Sequence, residues 1–111
     1  MNPFGHTVAD HGDHVRLVLV GDVDFAAHPV LVAQLVGLAG SGRAVVVDCA
    51  GVTFLDSMGL RALVEGRAAA LDAGQTFELA DPSVPVRRVI ELSGTAELFP
   101  LWAPLAEESE P

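Results

Sequence analysis

A carboxylate and a hydroxyl stand side by side at the predicted start of a helix, as Asp56 and Ser57. They follow an apolar, strand-like run and precede a helical pattern that begins near Leu60. A hydroxyl at a helix start is a common cap, because its oxygen accepts a backbone N–H. The exposed N–H groups and the positive end of the helix dipole also favour a phosphate. Ser57 is therefore a candidate for two roles, a helix cap or a site of phosphorylation.

Two further aspartates, Asp22 and Asp24, follow the first strong strand of the chain. If this strand and the one before Asp56 run parallel, their ends open on the same edge of the sheet. Asp24 would then lie close to Asp56 and Ser57. The alternative is that Asp22 and Asp24 are ordinary loop residues and that Asp56 or Ser57 only caps a helix.

A metal site is a weaker interpretation of the histidines. His11 and His14 are separated by two residues, with Asp10 and Asp13 beside them. A zinc site needs three or four well-supported ligands, and nothing downstream supplies a clear third one. We therefore expect a polar hairpin tip, with no metal and no cofactor.

The sequence also lacks the residues required for a phosphate-binding loop and for a serine hydrolase site. The glycine-rich residues 40–43 precede a strand and lack the lysine of a phosphate-binding loop. Ser57 lacks the Gly-x-Ser-x-Gly elbow of serine hydrolases, and no histidine follows it in the chain. A catalytic triad would need a fold that returns an earlier histidine to Ser57, so we expect no enzyme.

The charge of the chain narrows the choice of partner. Its 111 residues include 15 acidic and 6 basic ones, for a net charge of −9, and every basic residue is arginine. Nucleic acids and anionic membranes are bound by clustered cations, so neither suits this chain. A protein partner with a basic surface fits better.

The single cysteine, Cys49, lies in an apolar run and is expected to be a small core residue in a reducing compartment. No secretion signal is visible at the start of the sequence, and no apolar stretch is long enough to insert into a bilayer. These features predict a cytoplasmic protein.

The apolar periodicity predicts elements in the order β-β-α-β-α-β-α, with an edge strand or short helix near residues 98–102. The predicted strands cover residues 7–10, 15–20, 44–47 and 76–79, and the predicted helices begin at Pro29, Ser57 and Ser83. This order indicates an α/β fold, a single domain over residues 1–104 with a mixed central sheet of four or five strands and helices packed against it. Residues 105–111 are expected to form an acidic, flexible tail.

Finer expectations concern glycines and helix faces. Gly21 is expected to close the second strand, and Gly51 to interrupt the chain after the third. The core face of the second helix is predicted to carry Leu60, Leu63, Val64, Ala68 and Leu71. The third helix, capped by Ser83, is predicted to present Val86, Val89, Ile90 and Ser93 on one face.

The segments at residues 21–24 (Gly-Asp-Val-Asp) and 45–60, which ends in Asp-Ser-Met-Gly-Leu, carry a family resemblance. In this order and spacing they resemble the STAS domain (sulfate transporter and anti-sigma factor antagonist). The chain is most similar to the free-standing bacterial anti-sigma factor antagonists. The likeness runs from about residue 7 to residue 102.

The resemblance implies that Ser57 is phosphorylated by an anti-sigma factor that is also a kinase, with Asp24 and Asp56 beside it at the partner surface. Unmodified, the chain would bind this kinase and free a sigma factor. Phosphorylation would release it, and a phosphatase would reset it. Asp22 stands where glutamate is frequent, and Met58 where a small serine or threonine is frequent. The residues expected at the partner surface are Asp22, Asp24, Asp56, Met58, Gly59 and Leu60.

One alternative within the family is a non-switching STAS scaffold or the regulatory module of a membrane transport system. In that case Ser57 is an ordinary helix cap.

Overall fold

One antiparallel and two parallel strand pairs form the central sheet of this computed structural model, which describes residues 1–103. Strand β1 (Gly5–Asp10) is antiparallel to β2 (His14–Val23). Strand β2 is parallel to β3 (Ala44–Leu55), which in turn is parallel to β4 (Phe77–Ala80). The predicted α/β fold with a mixed sheet is confirmed, with four strands in the order β1-β2-β3-β4.

Helices connect the parallel strands. Helix α1 (His28–Ala39) joins β2 to β3, and α2 (Ser57–Asp72) joins β3 to β4. Helix α3 (Val84–Ser93) follows β4 and leads into a 3-10 turn (Ala96–Leu98). Helices α1 and α2 pack against each other, and α3 packs against β3. All three helices contribute side chains to one hydrophobic core. The observed order β-β-α-β-α-β-α confirms the predicted one.

The sheet buries one face against this core. Successive side chains of a strand point to opposite faces, so every second residue can share one face. Along β2 the buried residues alternate with less buried ones, and the strand register places matching buried residues beside them on β3 and β4. These residues are Val15, Leu17, Leu19 and Val23 of β2, Val45 and Val47 of β3, and Phe77 and Leu79 of β4.

Strands β2 and β3 both run further than predicted, past Gly21 and Gly51. The prediction that these glycines end the strands is wrong, because each one lets the strand continue through an irregularity. Gly51 lies at a register shift, where a Cβ would approach Val20 Cγ1 to 2.8 Å. Gly21 has a φ of 80°, and a Cβ there would lie 1.9 Å from the Pro3 carbonyl oxygen. The two strands therefore extend together to the edge that carries the aspartates.

Helix α2 follows its predicted core face in part: Leu63 is buried, and Leu60 and Val64 pack against the core. Ala68 and Leu71 are exposed rather than in the core. The buried residues are Gly59, Ala62, Leu63, Gly66 and Ala70. The sequence prediction missed the small residues of this buried face, which let α2 approach α1 closely. A Cβ on Gly66 would lie 2.4 Å from Leu35 Cδ1.

Helix α3 follows its predicted face in part. Val86 and Ile90 are buried and Val89 packs against the core, whereas Ser93 is exposed. Ser83 occupies the N-cap position, but its hydroxyl makes no capping hydrogen bond. Its N–H instead donates to the Cys49 carbonyl oxygen at 3.3 Å, which ties the start of α3 to β3.

Cys49 is buried in β3, as predicted for a core residue. Burial raises the pKa of its thiol to about 12, since the thiolate would lose its hydration there. The thiol is therefore protonated at neutral pH.

Near the end of the described chain, the 3-10 turn (Ala96–Leu98) precedes a single isolated bridge between Leu101 and Leu79, and the predicted edge strand does not form within residues 1–103. After the 3-10 turn, the Leu79 N–H donates to the Pro100 carbonyl, and the Trp102 N–H donates to the Leu79 carbonyl at 2.8 Å. The Trp102 ring centroid lies 4.9 Å from the Arg16 guanidinium carbon. The predicted tail at residues 105–111 lies outside the described residues.

None of the helices within residues 1–103 combines the length and apolar character needed to cross a membrane.

Two glycines in helix interiors give opposite predictions for replacement by alanine. Gly66→Ala should lower the free energy of unfolding by about 1–2 kcal/mol, because the strain of overpacking against Leu35 exceeds the gain in helix propensity. Gly37→Ala should raise it by up to about 1 kcal/mol, because a Cβ on Gly37 has no neighbour within 4 Å. Urea unfolding measures both changes. A stabilising Gly66→Ala would contradict the close packing of α1 and α2.

Candidate functional site

Strands β2 and β3 end side by side. Val23 and Leu55, the last residues of the two strands, are partners in the parallel register. Asp24 and Asp56 are therefore the first residues after the two strands, and they lie at the same edge of the sheet. The Asp56 N–H donates to the Val23 carbonyl at 3.2 Å, and the Phe25 N–H donates to Asp56 Oδ2 at 3.2 Å. The expectation that these segments lie together is confirmed. We call residues 22–25 and 56–60 the strand-end surface.

Asp56 is the N-cap of helix α2. Its backbone is extended, and its Oδ1 accepts hydrogen bonds from the Met58 N–H at 2.9 Å and the Gly59 N–H at 2.8 Å. A carboxylate at this position satisfies free amide groups and complements the positive end of the helix dipole.

Ser57 is the first residue of α2 and is exposed. Its hydroxyl makes no hydrogen bond to any of residues 1–103, so it does not cap the helix. The interpretation of Ser57 as an ordinary cap is wrong, because the preceding carboxylate already fills that role. No described histidine bonds this hydroxyl either; His28, for example, bonds Glu65. The hydroxyl is therefore accessible and has no structural partner in this part of the chain.

Gly59 fits the first turn of α2 against the end of β2. A Cβ on Gly59 would lie 2.2 Å from the Val23 carbonyl oxygen. Gly59, which was expected at the partner surface, is buried, so its role in the structure is close packing. Its neighbours Met58 and Leu60 are half-buried, and Leu60 also packs against the core.

Asp24 organises the turn that leads into α1. Its Oδ1 accepts from the Ala26 N–H at 3.1 Å and the Ala27 N–H at 3.2 Å. Its carbonyl oxygen accepts from the His28 N–H at 3.1 Å. Ala27, at the N-cap of α1, has no capping side chain, so Asp24 satisfies the amides before it.

Asp22 anchors the start of the chain to β2. Its Oδ1 accepts from the Thr53 hydroxyl at 2.7 Å, and its Oδ2 accepts from the Asn2 N–H at 3.2 Å. These donors, Thr53 first, hold the pKa of the Asp22 carboxyl below its usual range. Asp22 is therefore ionised at neutral pH and adds negative charge at one end of the strand-end surface.

Phe25 is the feature of this surface that sequence reasoning missed. Its side chain is 72% exposed, although its backbone is fixed by the bond to Asp56. The sequence did contain a signal for an exposed aromatic side chain, because Phe25 directly follows Asp24 in a predicted loop. Exposed aromatic side chains on a rigid backbone are frequent anchors of protein interfaces.

A charged cluster joins α1 to α2 beside the strand-end surface. Glu65 Oε2 accepts from Arg61 Nε–H at 3.0 Å and is 3.1 Å from His28 Nε2. The His28 ring, and after it the Arg61 guanidinium, hold the pKa of Glu65 below its usual range against the opposing effect of desolvation.

The division of roles between Asp56 and Ser57 predicts different effects of truncation. Asp56→Ala should lower the free energy of unfolding by about 1–2 kcal/mol, because it removes the helix cap. Ser57→Ala should change it by less than about 0.5 kcal/mol, as for an exposed residue without partners. Urea unfolding of the two variants measures the difference. Equal losses would mean that the Ser57 hydroxyl also supports the fold.

Comparison with solved structures identifies proteins of the same architecture. The chain is similar to an anti-sigma factor antagonist from Mycobacterium paratuberculosis, with 27% identity and a TM-score of 0.78 over 95% of this chain and 90% of that one. It is also similar to unphosphorylated SpoIIAA, with 19% identity and a TM-score of 0.75 over 95% and 92% of the two chains. The chain is likewise similar to SpoIIAA of Bacillus in its phosphorylated form, with 18% identity and a TM-score of 0.69 over 95% of this chain and 96% of that one.

A further similarity is to one part of a much longer chain. SLC26A9 matches with 17% identity and a TM-score of 0.66, over 77% of this chain and 16% of that one. No curated protein matches the sequence. The family model described as "Mlab, STAS domain" matches residues 6–101. With this match over most of its length, the chain belongs to the STAS domain family.

Proposed function

We propose that this chain is an anti-sigma factor antagonist, and that phosphorylation of Ser57 controls its binding to an anti-sigma factor kinase in the cytoplasm. The observation that carries this proposal is the exposed Ser57 hydroxyl, which has no partner among residues 1–103 while Asp56 caps the helix. The similarity to the Mycobacterium paratuberculosis antagonist supports the same role.

In the unmodified state, the strand-end surface is suited to a basic protein surface. It presents the carboxylates of Asp22, Asp24 and Asp56 at the ends of two adjacent strands. Phe25 adds an exposed aromatic side chain, and Met58 a half-buried flexible one. Charge complementarity would steer the kinase to this surface, and the apolar contacts would hold it there. Binding of the kinase would then release its sigma factor.

The modification transfers the γ-phosphoryl group of ATP to Ser57 Oγ, which loses its proton, and ADP leaves. It adds a charge of about −1.5 to −2 beside the Asp56 carboxylate. The fold has little reason to change, because the Ser57 hydroxyl holds no other described group. The complex is lost because a bulky, strongly solvated charge must be buried next to other carboxylates. A phosphatase acting on phospho-Ser57 would restore binding.

A negative charge at position 57 should weaken binding to the kinase without changing the stability of the fold. Ser57→Asp should weaken binding to the cognate kinase by about a hundredfold, which corresponds to ~2.7 kcal/mol. Its melting temperature should stay near that of the unmodified protein. Ser57→Ala should bind constitutively. Calorimetric titration and thermal unfolding measure the two properties, and wild-type affinity of Ser57→Asp would contradict the switch.

The exposed aromatic residue should contribute to the same interface. Phe25→Ala should weaken kinase binding by about tenfold or more, as expected for an anchor residue. Leu92→Ala is the matched control, because Leu92 is an 82% exposed apolar side chain on α3, which is not part of the strand-end surface. Similar affinities of the two variants would place the interface elsewhere.

The second candidate function is a non-switching STAS scaffold or regulatory module, which the match to one part of the longer SLC26A9 chain favours. Under that function, incubation with ATP and anti-sigma factor kinases of the same organism would produce no phosphoprotein.

A further inference from the structure

We infer that Arg61, one helical turn after Ser57, is the residue that pairs with the phosphate of phospho-Ser57. This inference rests on the proposed function and states where the new negative charge is held. It also implies that phosphorylation rearranges the exposed side of α2, in addition to adding charge at its first residue.

The helix start has few donors left for a phosphate. The Met58 and Gly59 amides already donate to Asp56 Oδ1. The Leu60 amide donates to the Asp56 carbonyl at 2.9 Å, and the Asp56 amide donates to Val23. The free amides with which a helix N-terminus usually binds an anion are therefore largely taken up by the Asp56 carboxylate. A positive side chain can supply the donors that these occupied amides do not.

Arg61 lies in the position from which it can supply that charge. Residues four apart on a helix have Cβ atoms about 5–6 Å apart. Helical side chains also lean toward the N-terminus, so a long side chain at position 61 extends toward position 57. The Arg61 side chain is 69% exposed, and its Nε–H donates to Glu65 at 3.0 Å. An exposed ion pair of this kind contributes little to stability, so Arg61 can exchange partners at low cost.

The orientation of the two possible ion pairs favours the phosphate. Along a helix, an anion four residues before a cation interacts better than the reverse order. Arg61 with Glu65 has the less favourable order, and phospho-Ser57 with Arg61 has the favourable one. The phosphate also carries about twice the charge of a carboxylate, with three oxygens for the guanidinium fork.

The exchange leaves no carboxylate without a partner. Glu65 Oε2 keeps its contact with His28 Nε2 at 3.1 Å when Arg61 leaves. His28 is also the larger influence on the lowered pKa of Glu65. The strand-end surface also carries the carboxylates of Asp22, Asp24 and Asp56, whose oxygens accept N–H or O–H groups. These bonds offset part of the repulsion between the carboxylates and a phosphate on Ser57. The Arg61 guanidinium can therefore decide whether the phosphate is held at the helix surface.

Titration of the phosphate tests this pairing without any kinase. Phosphoserine is installed at position 57 by genetic encoding in the full chain, and its second pKa is followed by phosphorus NMR. Arg61→Gln should raise this pKa by about 0.5 unit or more, since the guanidinium favours the dianion. The matched control Arg67→Gln removes the same charge ten residues from Ser57 and should shift it by less than about 0.1 unit.

Arg61→Lys gives a second test, because it keeps the charge and loses the planar fork. Its phosphate pKa should lie between those of the wild type and Arg61→Gln. Equal shifts in Arg61→Gln and Arg67→Gln, or no shift in either, would overturn the pairing. This result is independent of the proposed function: a chain that no kinase modifies can still show the pairing once phosphoserine is encoded, and a modified chain can fail to show it.

Discussion

The hydrogen bonds of the Asp56 carboxylate determine what the neighbouring serine is free to do. One oxygen caps α2 through the Met58 and Gly59 amides, and the other fixes the Phe25 backbone. One side chain thus ties the end of β2 to the start of α2. Because it satisfies the helix start, the Ser57 hydroxyl one residue later has no structural duty among the described residues. A modification at that hydroxyl can therefore alter binding while the fold persists.

Small residues hold this helix start close to the ends of the strands. Gly59 brings the first turn of α2 against the Val23 carbonyl, and Gly66 lets the same helix approach Leu35 of α1. A larger residue at either position would push α2 away from the strand ends, and the contact between Asp56 and Phe25 depends on this proximity. The packing of α1 with α2 and the geometry of the strand-end surface are thus coupled.

The element order, the mixed sheet and the alignment of Asp24 with Asp56 were predictable, because long apolar runs and parallel strand ends leave few arrangements. The choice between Asp56 and Ser57 as the cap was not. Both residue types cap helices well, and the register of β2 with β3 decides where the helix starts. On α2 the core prediction held at Leu60, Leu63 and Val64 and failed at Ala68 and Leu71. The buried small residues were missed because a close helix contact, such as that of Gly66 with Leu35, leaves no hydrophobic signal in the sequence. Phe25 was missed because its exposure depends on how the turn folds.

Release of the chain from the proposed anti-sigma factor kinase, followed together with the modification, tests the central claim most directly. ATP is added to the complex between the chain and its cognate anti-sigma factor kinase, and dissociation and intact mass are recorded in the same sample. We expect one phosphoryl group, located at Ser57, to appear with the time course of dissociation, and the Ser57→Ala complex to persist. Dissociation without modification of Ser57, or a stable complex that carries phospho-Ser57, would contradict this account.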